Sequence, residues 1–120
     1  IAPGGKHMRV MKKGTDYCIK LSDEPAIDGL RPCANVMYES LENCQYDEIT
    51  CVVLTGMGAD GTKGIQGLAA HHKKLHVIAQ DADTCVVYGM PKAIAQTGLV
   101  DEVVPLGSVA ETITKNVGVS

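Results

Sequence analysis

The sequence predicts an α/β fold on a parallel β-sheet, because a strand, a glycine-rich turn, a helix and a second strand follow one another in its centre. The first strand, expected at 49–55, is β-branched or apolar from Thr50 to Leu54, as strands buried on both faces are. A helix at 62–73 and a strand at 75–79 complete the unit, and its right-handed crossover makes the two strands parallel. The helix positions expected to face the sheet are Ile65, Leu68, Ala69 and His72.

An antiparallel hairpin is predicted before this unit. Residues 8–12 alternate apolar with basic side chains, a turn is expected at 13–16, and a second apolar run follows at 17–21. The pattern predicts a hairpin with one face in solvent. The polar segment 22–29 is expected to be an exposed loop.

A helix is predicted to begin at Pro32, because proline is favoured in the first helical turn. Its opposite side carries Asn35, Glu39 and Glu42, which we expect to form a solvated surface. The side chains expected to pack inward recur at helical spacing and are Cys33, Val36, Met37, Leu41 and Cys44.

Two further helices and a short strand are predicted after the second central strand. Residues 84–88 fit either a strand or a buried helical turn. A helix is expected from 89 to about 97, with Gly98 as its C-cap, and a short strand at 103–104. Ser108 is expected to cap a last helix that runs through Val117, and the tail after Gly118 is expected to fray.

Length, composition and charge limit the classes of protein to which the sequence can belong. The 120 residues suit one domain or part of one, and the lack of Trp and Phe predicts an aliphatic core with tyrosines at its margins. A net charge of −3 without a large basic cluster makes nucleic acid and anionic membranes poor partners. The sequence shows neither a membrane span nor a signal peptide. The chain is expected to begin in the middle of a fold, with Ile1 at the end of a strand.

The five cysteines are odd in number and have no CxxC spacing, so a disulfide or zinc framework is not expected. Most occupy positions of a small core residue, which indicates a reduced, cytoplasmic protein. His71 and His76 are close enough in sequence to share a metal, but histidines are also favoured at helix C-termini, and the second interpretation is the stronger.

The turn between the first strand and the helix allows three interpretations. Gly56 to Gly61 fits the GxGxxG spacing of dinucleotide-binding turns. Asp81 lies 20 residues beyond Gly61, the sequence separation expected of the carboxylate that binds the ribose. Asp60, however, stands where a pyrophosphate would bind, and like charges about 4 Å apart repel by roughly 4 kcal/mol at an effective dielectric constant of 20. In the second interpretation, an ionised Asp60 at the end of a strand is the acid of a Ser-His-Asp triad. In the third, Asp60 only caps the helix that follows it.

The motifs, taken in order, resemble the C-terminal half of the catalytic domain of CheB-type chemotaxis protein-glutamate methylesterases. The resemblance runs from Ile1 to about Thr114 and implies a three-layer α/β/α sandwich with an inserted hairpin. It implies a hydrolase that releases methanol from glutamyl methyl esters of chemoreceptors and deamidates receptor glutamines, without a cofactor. The segments that carry it are Ile1–Met8 (IAPGGKHM), Arg31–Cys33 (RPC), Leu54–Gly61 (LTGMGADG), Ile78–Asp81 (IAQD) and Cys85–Pro91 (CVVYGMP).

By resemblance, Asp60 is the triad acid. Met57, with Gly56 and Gly58 on the same turn, would line the site near the histidine and the oxyanion. The family's nucleophilic serine and catalytic histidine precede the segment that Ile1 opens, so this chain alone is not expected to hydrolyse esters. His7 is not at the family's histidine position and is expected on the hairpin surface. The serines, Ser22, Ser40, Ser108 and Ser120, do not lie on strand-end glycine turns.

The sequence departs from the family at two positions. Cys33 stands where the family usually has serine and Asn35 where it has aspartate. We expect the cysteine to weaken the helix start by about 1 kcal/mol, and neither change to touch the triad acid. The implied partners are methylated chemoreceptors, the N-terminal part of the catalytic domain and a phosphorylatable receiver domain. A sheet without its partner strands also favours self-association.

Overall fold

The computed structural model describes residues 1–71 and 73–118, and its elements follow the predicted order. His72 and the last two residues, including Ser120, lie outside the described residues, and so do the predictions made for them. The strands are β1 (His7–Lys13), β2 (Asp16–Ser22), β3 (Ile49–Val53), β4 (Leu75–Gln80) and β5 (Glu102–Val104). The helices are α1 (Ala34–Ser40), α2 (Thr62–Ala70), α3 (Met90–Ala95) and α4 (Val109–Val117), and a short 3₁₀ helix spans Leu106–Ser108.

The predicted parallel sheet and hairpin are both confirmed. Strands β3, β4 and β5 form a parallel sheet in that order, with β4 in the middle, and β1 pairs with β2 in antiparallel register. The hairpin's solvent exposure is greater than predicted, since Ile19 and Leu21 are 64% and 47% exposed. In β3, Cys51 and Val53 are buried, whereas the intervening Val52 is only half-buried.

The core lies between the parallel sheet and the helices. Ile65 and Leu68 of α2 are fully buried, as their helical spacing predicts, and they pack with residues of β3 and β4. Tyr38 is also a core residue, 8% exposed, which contradicts the expectation that tyrosines stay at the margin. The buried core consists of Tyr38, Leu41, Cys44, Cys51, Val53, Ile65, Leu68, Val77, Ala79 and Ile94.

Helices α1 and α2 pack directly against each other, and this corrects the prediction for the outer side of α1. Glu39 is exposed as expected, but Asn35 and Glu42 are half-buried and face α2. The close approach depends on glycine, because a Cβ on Gly64 would lie 2.6 Å from Tyr38 Cβ. The sequence pattern of α1 alone could not show that a glycine-bearing helix covers its polar side.

Residues 84–88 are neither strand nor helix. They form a turn that returns to the central sheet through an isolated parallel bridge between Gly56 and Tyr88. Ser108 does precede α4, but its side chain makes no capping hydrogen bond. Among the described residues, every helix is too short or too polar to cross a membrane.

The cysteines provide a test of this core. Burial raises the pKa of the Cys51 thiol to about 11, and the residue is 1% exposed, whereas Cys18 is exposed. We expect iodoacetamide at pH 8 to alkylate Cys18 rapidly and Cys51 only after denaturation, because the thiolate is the reactive form. Peptide mass spectrometry measures both. Equal alkylation rates in the folded chain would contradict the described packing.

Candidate active site at the carboxyl ends of the parallel strands

The turn between β3 and α2 is held by the segment that precedes α3. The carbonyl oxygen of Gly56 accepts hydrogen bonds from the backbone N–H of Gly89 (3.2 Å) and Met90 (2.8 Å). In return, the N–H of Gly56 donates to the carbonyl oxygen of Val87 (3.1 Å). The two sequence motifs Leu54–Gly61 and Cys85–Pro91 therefore form one hydrogen-bonded unit.

Glycine at position 89 is required by this contact. A Cβ there would lie 2.7 Å from the carbonyl oxygen of Gly56 and 2.9 Å from the nitrogen of Gly58, both of which are backbone atoms. The buried side chain of Gln80 supports the same unit, because its Oε1 accepts from the N–H of Thr55 and its Nε2 donates to the carbonyl oxygen of Thr84. The turn thus rests on a fixed hydrogen-bond frame.

Asp60 lies half-buried on this turn, and its carboxylate receives three hydrogen bonds from the start of α1. Oδ2 accepts from the N–H of Ala34 at 2.7 Å. Oδ1 accepts from the N–H of Asn35 at 3.1 Å and from the thiol of Cys33 at 3.2 Å. Backbone donors at a helix N-terminus stabilise a negatively charged group.

This arrangement corrects two expectations. Asp60 does cap a helix, but the helix is α1 and not α2, which begins immediately after it. The change at position 33 is expected not to touch the acid, yet the thiol of Cys33 donates to Oδ1, whereas Asn35 reaches Oδ1 only through its backbone N–H. Cys33 itself makes no capping hydrogen bond, because Asp60 takes the place of an N-cap side chain.

The thiol of Cys33 is a neutral donor in this site. Burial raises its pKa, and the hydrogen bond to Asp60 raises it further, because a thiolate next to a carboxylate would be repelled. The residue is 3% exposed. Cys33 therefore orients the carboxylate as S–H and is not a nucleophile in this geometry.

The side chain of Asn35 caps α2. Its Oδ1 accepts from the N–H of Gly61 at 3.0 Å and from the N–H of Gly64 at 2.8 Å. Gly61 has a φ of 97° and no side chain, so it cannot cap the helix that it precedes. Sequence reasoning missed this role, although the position of residues 33–35 at a predicted helix start indicated N–H groups in need of an acceptor.

Asp60 lines two cavities. One has a volume of about 600 Å³ and is also lined by Met57, Gly58 and Lys63. The other has a volume of about 260 Å³ and is lined by apolar side chains that include Met8. Met57 is 84% exposed at the rim, whereas Gly56 lies beneath the turn against Met90.

Among the described residues, neither His7 nor the serines complete a triad here. His7 is not on the surface as expected. It is 1% exposed, and its Nε2 lies 2.9 Å from the carbonyl oxygen of Pro25, which a ring N–H satisfies. The described serines, Ser22, Ser40 and Ser108, do not line either cavity beside Asp60.

The histidines considered as metal ligands have separate partners. His71 lies 3.5 Å from Glu42, and His76 Nε2 lies 2.7 Å from Glu102. The hydrogen bond from His76 lowers the pKa of the Glu102 carboxyl. Within residues 1–71 and 73–118, no three His, Cys, Asp or Glu side chains are grouped so as to hold a metal.

Among the described contacts, the turn has few unpaired N–H groups that could bind a dinucleotide. The N–H groups of Gly61 and Gly64, which would bind a pyrophosphate, already donate to Asn35. Asp81 Oδ1 accepts from the N–H and the hydroxyl of Thr84. The hypothesis stays a prediction, and titration of the chain with NADH tests it.

Comparison with known proteins adds to this geometry. The model of the CheB methylesterase family matches residues 1–113. A protein-glutamate methylesterase/protein-glutamine glutaminase of Desulfotalea psychrophila is 44% identical over 98% of this chain, which covers 32% of that relative. A protein of the same name from Oceanobacillus iheyensis is 43% identical over 96% of this chain, covering 33% of the relative. The chain thus spans about a third of the length of these curated relatives.

The fold is that of a solved catalytic domain. The crystal structure of the Thermotoga maritima CheB methylesterase catalytic domain matches with a TM-score of 0.85 and 31% sequence identity. The match covers 94% of this chain and 59% of that domain. The α/β fold predicted from the sequence is confirmed by this similarity.

Proposed function

This chain belongs to the CheB methylesterase family, and we propose that it supplies the acid of a Ser-His-Asp site that hydrolyses glutamyl methyl esters of chemoreceptors. Asp60 is the acid, and the serine and histidine come from a portion of the catalytic domain that the chain does not match. The relatives' name also includes protein-glutamine glutaminase, and we extend the proposal to that deamidation.

One observation supports the proposal above others: Asp60 is fixed by three donors and, among the contacts of the described residues, still has a free position on one oxygen. A carboxylate oxygen accepts about two hydrogen bonds, so Oδ1 is fully used and Oδ2, with one donor, has room for another. The adjoining cavities leave space for an imidazole whose N–H donates to that oxygen.

In the proposed reaction, the histidine accepts the proton of the serine hydroxyl as the serine oxygen attacks the ester carbonyl carbon. The imidazolium then gives the proton to the departing methoxide, and methanol leaves. Water hydrolyses the acyl-serine by the same proton transfers. Asp60 keeps the imidazole in the tautomer that accepts from serine, and its charge stabilises the imidazolium. Met57 and Gly58 would form the wall of the cavity near the reacting atoms.

The remaining parts of the proposal concern partners and location. We infer methylated chemoreceptor segments as substrates and a phosphorylatable receiver domain as regulator. A cytoplasmic location is supported by five cysteines that are all unpaired in the structure. In the described residues, β3 pairs with β4 alone among the strands, so its other edge is available to the rest of the domain or to a second copy.

Methanol release from a glutamyl methyl ester tests the proposal. We define the complete domain as this chain joined to the portion of a relative's catalytic domain that it does not match. The complete domain should release methanol from a methylated receptor fragment, whereas this chain alone and that portion alone should not. Hydrolysis by the isolated chain, or a folded complete domain without activity, would contradict the proposal.

A further inference from the structure

We propose that Asn35 is a positioning residue for Asp60 in the reaction proposed above, because it holds the turn from which the carboxylate projects. Its Oδ1 accepts from the N–H of Gly61 and of Gly64, at 3.0 and 2.8 Å. Gly61 directly follows Asp60, so these bonds fix the backbone next to the acid. The inference rests on the proposed function, since positioning matters only if Asp60 takes part in the reaction.

Asn35 contacts the Asp60 turn in two ways, through its backbone and through its side chain. The backbone N–H of Asn35 donates to Asp60 Oδ1 at 3.1 Å, so one residue binds both the carboxylate and the turn that bears it. The carboxylate on the turn caps α1, and the carboxamide on α1 caps α2. Neither helix has a capping side chain of its own, because Cys33 and Gly61 provide none.

The donors at the start of α1 determine which oxygen of Asp60 can accept a further hydrogen bond. Asn35 and Cys33 donate to Oδ1, and Ala34 donates to Oδ2. If the carboxamide of Asn35 released Gly61 and Gly64, the backbone that carries Asp60 could shift relative to α1, and the open position on Oδ2 would shift with it. Misplacing a catalytic group by about 1 Å can cost roughly a hundredfold in rate.

The helix pair itself does not depend on Asn35. Apolar packing joins α1 and α2, with Tyr38 against Gly61 and Gly64. Removal of the carboxamide should therefore release the turn without separating the helices. This is why the effect is expected in kcat rather than in folding.

The neutrality of Asn35 gives a second readout. Aspartate has the same shape and accepts the same two N–H bonds, but it adds a negative charge beside Asp60. A nearby negative charge favours the imidazolium and so raises the pKa of the catalytic histidine. The charged side chains already lining the cavities around Asn35 are Asp28, Glu39, Glu42, Asp60 and Lys63, and they are the same in every variant below.

The test measures kcat and KM against pH for Asn35→Ala and Asn35→Asp in the complete domain. Asn43 is exposed and lines neither cavity beside Asp60, so Asn43→Ala and Asn43→Asp are matched controls. We expect Asn35→Ala to lower kcat by roughly tenfold or more with KM nearly unchanged. Asn35→Asp should recover most of kcat and move the acidic limb of the profile upward by about half a pH unit. The Asn43 variants should do neither.

An unchanged kcat for Asn35→Ala, or an unmoved acidic limb for Asn35→Asp, would overturn the inference. Amide hydrogen exchange gives a readout independent of activity: Gly61 and Gly64 should exchange faster in Asn35→Ala and not in Asn35→Asp. If Asn35→Ala does not fold, the comparison of Asn35→Asp with Asn43→Asp decides. An inactive wild-type domain would overturn the proposed function and this inference with it, whereas an active wild type with unaffected Asn35 variants would overturn the inference alone.

Discussion

Replacement of Asp60 by alanine in the complete domain is expected to lower kcat for ester hydrolysis by about 10³- to 10⁴-fold. The carboxylate holds the histidine in its productive tautomer and stabilises the imidazolium, and alanine can do neither. Asp60→Asn should be similarly impaired, because it keeps the shape and loses the charge. Initial rates of methanol release measure both.

Asp28 provides the matched control. It lines the same 600 Å³ cavity but, among the described contacts, makes none to the start of α1. Asp28→Asn is the suitable change, because Asp28 has a φ of 50°, which asparagine tolerates better than alanine. We expect its kcat to stay within a few fold of wild type. Full activity of Asp60→Ala, or equal losses at both positions, would contradict the catalytic role of Asp60.

Stability must be checked beside activity in this comparison. Asp60 caps α1, so its removal should also cost about 1 kcal/mol of folding free energy. Such a loss leaves most domains folded at 25 °C. Rates should therefore be measured well below the Tm of each variant, so that a kinetic effect is not confused with unfolding.

Alanine at position 64 is expected to destabilise the complete domain by about 2 kcal/mol, or roughly 5 to 8 °C in Tm. The new Cβ would lie 2.6 Å from Tyr38 Cβ and 3.1 Å from Asn35 Cα, atoms that cannot move without shifting α1. The gain of about 1 kcal/mol in helix propensity offsets only part of this cost. Thermal unfolding followed by circular dichroism measures the change.

Position 67 on the same helix is the control. A Cβ there would meet Glu42 Oε1 at 2.5 Å, but this atom is the end of a flexible side chain that can swing away. Gly67→Ala loses at most the weak ion pair between Glu42 and His71 and gains helix propensity. Its Tm should equal or exceed that of the wild type. If both variants unfolded at the same temperature, the described packing of α1 on α2 would be wrong.

Local sequence patterns were sufficient to predict the elements that carry the site. A buried strand, a glycine turn and a helical period together placed Asp60 at the carboxyl end of β3, and the structure confirms that position. The parallel orientation of the two central strands follows from the crossover rule, and the observed β3–β4 pair agrees with it. These features depend on short-range patterns, which one sequence contains.

The orientation of Asp60 depended instead on contacts between distant segments. Its partners are Cys33, Ala34 and Asn35, which are 25 to 27 residues earlier in the chain. Helical spacing assigned Asn35 to a solvated face, because periodicity cannot show that a second helix with glycines packs there. The turn at 84–88 was ambiguous for the same reason, since its shape follows from hydrogen bonds to Thr55 and Gly56.

A crystal structure of the complete domain tests the account most directly, by the distance from Asp60 Oδ2 to the nearest imidazole nitrogen. We predict a histidine from outside this chain with a ring nitrogen about 2.7 to 3.2 Å from Oδ2. Its other ring nitrogen should face a serine hydroxyl. A structure in which that histidine bonds another carboxylate, or in which Oδ2 is covered by apolar side chains, would contradict the account.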